Sequence, residues 1–239
     1  MKQYIYASSA ETARALILHL INLISEEPRK IFNIAFSGGS TPALMFDLWA
    51  NEYSVVTPWD RIRIWWVDER CVRPENSDSN YGMMRMLLLD IVPIPESNIF
   101  RIEGESNPEE EAVRYSGLAK KYMQQQSSGM PAFDIVLLGA GNDGHTSSIF
   151  QGQEHLLISP NVYEVSCNPH NAQKRIALTG QSIINAGRVI FFIMGKDKAD
   201  VVAEICMSGD TCPAAYVAHH ANKVELFLDE AAAVKLQDK

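Results

Sequence analysis

Ile135-Val136-Leu137-Leu138, with Asp134 ahead of it, is a short unbroken apolar run of the kind that forms a strand buried on both faces. It breaks at once into Gly139-Ala140-Gly141, where the backbone turns freely because glycine has no Cβ. Further strand-like runs stand at Ile31 to Phe36, Arg61 to Val67, Val162 to Cys167, Val189 to Met194 and Val224 to Leu228, with another at Arg175 to Thr179. Helical stretches lie between most of them. Ser9 to Glu26 carries Ala13, Leu16, Ile17, Leu20, Leu23 and Ile24 on one face. Others are expected at Ala43 to Asn51, Asn80 to Ile91, Glu109 to Gln126, up to about Met207, and Asp229 to Leu236. Alternating strands and helices predict an α/β fold, a parallel sheet with helices on both faces. The chain has 239 residues, 46% of them hydrophobic, which is ample core for one domain spanning residues 1–239. The polar linker Gln124 to Pro131 is too short to mark a domain boundary.

The formal net charge is −8 and no Lys/Arg cluster appears, so no nucleic-acid partner is expected. No run approaches transmembrane length, and the first twenty residues lack a basic region followed by an unbroken apolar stretch. A soluble, cytoplasmic protein with no membrane partner is the expectation. Cys71, Cys167, Cys206 and Cys212 are scattered with no C-x-x-C pair, which points to reduced thiols rather than a zinc site or disulfides. Neither a metal nor a cofactor is expected, and nothing in the sequence specifies an oligomeric state. His19, His155, His170, His219 and His220 read as structural.

Three segments carry chemistry. Ser37-Gly38-Gly39-Ser40-Thr41-Pro42 joins a strand to a helix, with Thr41 suited to the N-cap and Pro42 to the first helical position. Two glycines before a helix start leave backbone N–H groups free to converge on a phosphate, aided by the helix dipole. Asp68-Glu69-Arg70 ends the second strand, three charges that are either solvated or functional. Asp143, Gly144, His145 and Thr146-Ser147-Ser148 follow the central strand, placing titratable groups at the carboxyl edge of the sheet, where α/β folds bind ligands.

Gly139 to Gly144 also fits G-x-G-x-x-G, with Glu164 twenty residues further on, as in a dinucleotide site. Gln151-Gly152-Gln153 breaks any long helix there, the strand comes mid-chain, and Glu164 lies inside a strand pattern. NAD is therefore not expected.

The combination of Ser37-Gly38-Gly39-Ser40-Thr41-Pro42, Asp68-Glu69-Arg70 with Ser79-Asn80-Tyr81, and Gly139-x-Gly141-x-Asp143-Gly144-His145-Thr146 resembles the 6-phosphogluconolactonases. Arg175, Gly195-x-x-Lys198-Ala199 and Leu226 to Ala233 are similar to that family too. Deaminases of the same fold carry Asp-Glu-Tyr where this chain has Asp68-Glu69-Arg70, and a stretch ending in Asn-Glu-Pro where it has Thr146-Ser147-Ser148. Gln151 and Ser147 depart from the lactonase pattern, beside the histidine.

The resemblance implies a three-layer α/β/α, Rossmann-like, mainly parallel sheet of the sugar-phosphate isomerase/CoA transferase type. It also implies a phosphorylated sugar lactone as partner, hydrolysed from 6-phospho-D-glucono-1,5-lactone to 6-phosphogluconate. His145 would be the general base, since an imidazole titrates near pH ~6.5. Asp143 would orient it, and Arg70 would meet the oxyanion or the phosphate. Gly38, Gly39, Ser40 and Thr41 would cradle the phosphate, Arg175 and Lys198 would add charge, and Asp68 would contact substrate. Two alternatives stay open: an isomerase or deaminase in which Asp68 abstracts a proton, and a non-catalytic sugar-phosphate sensor.

Overall fold

The computed structural model describes residues 1–125 and 129–236, which build two sheets flanked by helices. The larger sheet is parallel throughout. Its six strands run in the order β1 (Lys2–Tyr6), β9 (Val224–Asp229), β8 (Val189–Ile193), β5 (Ile135–Leu138), β2 (Phe32–Phe36) and β3 (Ile62–Trp66). Every residue of β2, β5, β8 and β9 is buried, so β5 and β8 read as unbroken apolar runs, and the polar Asn33 of β2 and Glu225 and Asp229 of β9 are buried with hydrogen-bond partners. The helices are α1 (Ser9–Glu26), α2 (Ser40–Glu52), α3 (Asn80–Met84), α4 (Pro108–Tyr122), α5 (Gly180–Ile184), α6 (Ala199–Cys206) and α7 (Pro213–His220). The architecture is thus the expected mainly parallel α/β/α arrangement.

Local chemistry explains the helix ends. Ser8 caps α1 by accepting from the Glu11 N–H at 3.3 Å, and the Ala13, Leu16, Ile17, Leu20 and Ile24 face is fully buried. Asn107 caps α4, accepting from Glu109 and Glu110, while Pro108 opens the helix and Lys120 and Lys121 close it. One continuous apolar core joins the two sheets; within it Trp65 stacks on Phe100 with centroids 4.3 Å apart.

Several expectations are corrected. Strand–helix alternation fails after β3, because the chain continues through Val67 into β4 (Asp68–Arg70) with no intervening helix. β4, β7 (Lys174–Leu178) and β6 (Tyr163–Cys167) form a second, antiparallel sheet. Asp68-Glu69-Arg70 is therefore a paired strand, not a solvated tip. The helix after Ser37 starts at Ser40 with Gly39 as N-cap, so Thr41 is not the cap and Pro42 is not the first helical residue. Gly39 allows this early start by taking φ 105°, and Pro42 still falls in the first turn, where its missing N–H would have no intrahelical partner. Asn80 to Ile91 is not one α-helix: α3 gives way to a wider π-type turn at Arg85–Leu89, burying Met84 but exposing Met86.

The helix expected from Asp229 to Leu236 is absent: Asp229 ends β9, and residues 230–236 form turns closing in a short 3-10 segment at Val234–Leu236. The Asp229 carboxylate accepts from Ser9 Oγ and from the N–H groups of Ala232 and Gly195, which anchors the chain as it leaves β9. α4 stops at Tyr122; the expected helix end at Gln126 and residues 126–128 of the expected linker lie outside the described residues. No described helix is long and apolar enough to cross a membrane.

Candidate functional site

The carboxyl ends of β2 and β5 open side by side, and β4 crosses beside them. From β2 the chain enters Ser37-Gly38-Gly39 and then α2, thirteen residues long, whose first N–H groups have no intrahelical carbonyl to reach. This places a positive helix end at the rim, suited to an anion.

From β5 the chain enters Gly139-Ala140-Gly141 and a tight turn. Gly141 donates its N–H to the His145 carbonyl at 2.8 Å, folding the histidine back over the turn. His145 Nδ1 then lies 2.6 Å from Asp143 Oδ1, and the His145 N–H donates to the same oxygen at 3.3 Å. Burial raises the Asp143 carboxyl, but the charge and hydrogen bonds of His145 outweigh it and hold the group below its ordinary value. A Cβ on Gly141 would lie 2.2 Å from His145 Nδ1, so the close pair requires glycine there. The ring also rests on Phe150, centroids 4.5 Å apart.

The turn continues with Ser147 and Ser148 at φ 51° and 53°, not with the helix that a dinucleotide fingerprint needs. These left-handed conformations aim both hydroxyls inward. Ser147 donates to the Leu178 carbonyl at 2.7 Å, and Ser148 donates to Asp68 Oδ2 at 2.5 Å. Glu164 sits in β6, bonded by Ser159 and Asn161, away from any ribose position.

β4 and β7 supply the cations. Their register sets Arg70 directly opposite Arg175, a like-charge cross-strand pair that is unfavourable unless an anion joins it. Arg70 donates to the Asp78 carbonyl at 2.6 Å. Arg175 reaches Ser148 Oγ at 3.4 Å and Gln173 Oε1 at 3.2 Å, with Asp68 Oδ2 at 3.9 Å. The Nε of each arginine is buried and has no acceptor. Burial, and then the charge of Arg70, push the Arg175 guanidinium below its ordinary value. Both observations describe a site built to receive negative charge.

Two adjoining hollows result. The larger, about 200 Å³, is bounded by Gly38, Asp68, Arg70, His145, Arg175 and Lys198. The smaller, about 150 Å³, is bounded by Gly38, Gly39, Ser40, Thr41 and Lys198. Lys198 stands just before α6 and lines both. Asp143 lines neither but holds His145. The ten residues singled out from the sequence thus come together at one end of the sheet. Asn80 was missed as a site residue: it is buried, lines the larger hollow, and donates Nδ2 to the Asp68 carbonyl at 2.8 Å. Its signal was its place in Ser79-Asn80-Tyr81, eleven residues past Glu69. Among the described residues, no cluster of three or more His, Cys, Asp or Glu is arranged to hold a metal ion.

Sheet order and cleft define an α/β protein of the sugar-phosphate isomerase type, with a histidine–carboxylate pair set among cations. A profile of the glucosamine-6-phosphate isomerases/6-phosphogluconolactonase family matches residues 7–226, and the chain belongs to that family. The 6-phosphogluconolactonase of Treponema pallidum is 37% identical over 207 residues, covering 86% of this chain and 84% of the relative. The structure of 6-phosphogluconolactonase from Trypanosoma cruzi matches with TM-score 0.89 and 27% identity, over 98% of this chain and 96% of that one. A monomeric glucosamine-6-phosphate deaminase, 20% identical with TM-score 0.84 over 98% and 99% of the two chains, shares the fold.

Proposed function

We propose that this chain hydrolyses 6-phospho-D-glucono-1,5-lactone to 6-phosphogluconate, the ring-opening step of the oxidative pentose phosphate pathway, with His145 as general base. The observation that carries the reading is the 2.6 Å contact of His145 Nδ1 with Asp143 at the edge of a cationic hollow. Asp143 takes the Nδ1 proton in its hydrogen bond, which leaves the Nε2 lone pair to accept a proton from water. No described residue hydrogen-bonds Nε2.

The water oxygen attacks the lactone carbonyl carbon while its proton passes to Nε2. Negative charge gathers on the carbonyl oxygen, and Arg70, held on a paired strand and lining the same hollow as His145, is assigned to meet it. Collapse of the tetrahedral species breaks the bond to the ring oxygen, which takes the proton back from His145. The phosphate lies against Gly38, Gly39, Ser40 and Thr41 at the start of α2, with Arg175 and Lys198 adding charge. Asp68, fixed by Ser148, accepts from a substrate hydroxyl. These local cations let a chain of net charge −8 receive an anionic substrate. The single core supports one domain spanning residues 1–239, and the cytoplasm is the compartment we assign.

The test follows lactone loss at neutral pH, with the lactone generated in situ because it also opens spontaneously. Rapid loss with the intact protein, but not with buffer or His145→Ala, is the expected result. Equal loss in all three overturns the reading, and ammonia release from glucosamine 6-phosphate would replace it with the deaminase.

A further inference from the structure

The mechanism above leaves one buried carboxylate unused. Glu69 is 2% exposed, lines neither hollow, and pairs with no cation among the described residues. Its two oxygens nonetheless accept four hydrogen bonds. Oε1 takes the N–H groups of Arg70 and Asn80, each at 2.7 Å, and Oε2 takes the N–H of Tyr81 at 2.7 Å and the Ser79 hydroxyl at 3.1 Å. Four donors and no acceptor around it match an ionised, acceptor-only carboxylate. Burial raises its pKa, while the backbone hydrogen bonds from Tyr81, Asn80 and Arg70 pull the other way.

We propose that Glu69 is a positioning residue that holds both ends of the excursion from Arg70 to Asn80 and thereby fixes the arginine and the asparagine at the cleft. The excursion leaves β4 at Arg70 and returns at the first residue of α3. Glu69 lies beneath that junction and binds both sides of it. Asn80, so held, reaches the Asp68 carbonyl, and its Oδ1 crowds Gly38 so closely that a Cβ there would lie 1.9 Å away. Arg70 is held at its peptide by Glu69 and at its guanidinium by the Asp78 carbonyl, itself part of the excursion. Asp68, Arg70 and Asn80 therefore share one buried anchor, three residues that line the same hollow. An amide cannot replace it, because its NH₂ would face donors.

The proposal rests on the hydrolase reading, and its test separates the two. Glu69→Gln is expected to lower kcat/KM for the lactone about 100-fold, mainly in kcat, as a misplacement of about 1 Å would. In an Arg70→Ala background the same change is expected to cost only about tenfold, the share carried through Asn80, because residues acting as one unit are not additive. Where Glu69→Gln does not fold, Ser79→Ala keeps the carboxylate, removes one of its donors together with the cap of α3, and is expected to cost about tenfold, again not additively with Arg70→Ala. Full kcat/KM in a folded Glu69→Gln or in Ser79→Ala, or additive losses, overturns the positioning role and leaves the hydrolase standing. If the intact protein turns over glucosamine 6-phosphate instead, the same cycle is read on that reaction. Turnover of neither sugar phosphate overturns both.

Discussion

Of the imidazole–carboxylate pairs among the described residues, two at nearly the same distance lie in contrasting surroundings. His145 meets Asp143 at 2.6 Å, and His19 meets Glu225 at 2.8 Å. His19 lies on α1, its ring between Tyr4 and Phe227 with centroids 5.7 and 5.3 Å away. Its partner Glu225 is also bonded by Arg188, so the carboxylate is already matched by a cation. His145 lies on a turn instead, its far nitrogen without a protein partner among the described residues and the cations Arg70, Arg175 and Lys198 lining the same hollow. A short contact between imidazole and carboxylate does not make a site. What differs is whether the surrounding charges already match one another or leave positive charge for a ligand.

The strongest way to break that contrast is to delete each imidazole. His145→Ala is expected to lower kcat for lactone hydrolysis by about 10²–10⁴-fold, the usual worth of a general base. His19→Ala is expected to leave kcat/KM within about twofold while costing about 1 kcal/mol of stability, read by thermal unfolding. A comparable loss of activity in both would mean that pairing alone, not surroundings, marks function.

Glycine offers a sharper version. Gly141→Ala pushes a methyl into the His145–Asp143 contact and is expected to cost about 100-fold in kcat. Gly117→Ala, on α4 where an added Cβ meets nothing within 4 Å, is expected to leave kcat unchanged and raise stability by about 0.5–1 kcal/mol. Steady-state kinetics and denaturant unfolding of the two variants decide it.

The sequence shows the catalytic side of this contrast more plainly than its scaffold. His145 and Asp143 sit two residues apart after a buried run, and Gly38 to Thr41 sits between a strand and a helix, so local pattern exposes both. Glu69 and Asn80 meet across eleven residues, and Arg70 faces Arg175 across more than a hundred; only the antiparallel pairing of β4 with β7 brings them together. That second sheet is invisible to strand–helix alternation, because β4 is three residues long and follows β3 without a turn signal. β1 was missed because, as an edge strand, it has a mixed burial pattern instead of an apolar run. The helix expected from Asp229 failed for the opposite reason: Ala231-Ala232-Ala233 has high helix propensity, but Ala232 and Ala233 are fully buried and Asp229 is committed to tertiary hydrogen bonds.

The same distinction between satisfied and unsatisfied groups governs the arginines. Arg188 has its carboxylate, whereas Arg70 and Arg175 face each other with buried, unpartnered Nε groups. A phosphorylated ligand is therefore expected to stabilise the protein. At 100 times its Kd, 6-phosphogluconate should add about 2.7 kcal/mol, seen as a raised Tm. Arg175→Ala should abolish most of that rise and Arg188→Ala should leave it, although the latter starts from a lower Tm. A rise that survives Arg175→Ala would place the anion elsewhere.

Acid unfolding provides the finest comparison. Burial raises Glu225, but the hydrogen bond from His19 and the charge of Arg188 outweigh it, so this carboxyl, like Asp143, sits below its ordinary value in the folded protein. A lowered carboxyl stabilises the fold above its ordinary value, 4.5 for Glu225 and 3.8 for Asp143, and that contribution is lost as the pH falls through the lowered one. Both carboxyls therefore cost the protein stability on the acid side. Asp143 has a side chain 40% exposed against 5% for Glu225, so solvent screens its pairing more. Glu225→Gln should flatten the fall in stability below about pH 4.5 visibly, and Asp143→Asn should barely change it while sharply lowering kcat. Urea unfolding at a series of pH values measures both. A larger acid-side effect from Asp143→Asn would show that the active-site pair carries more of the fold than its exposure allows.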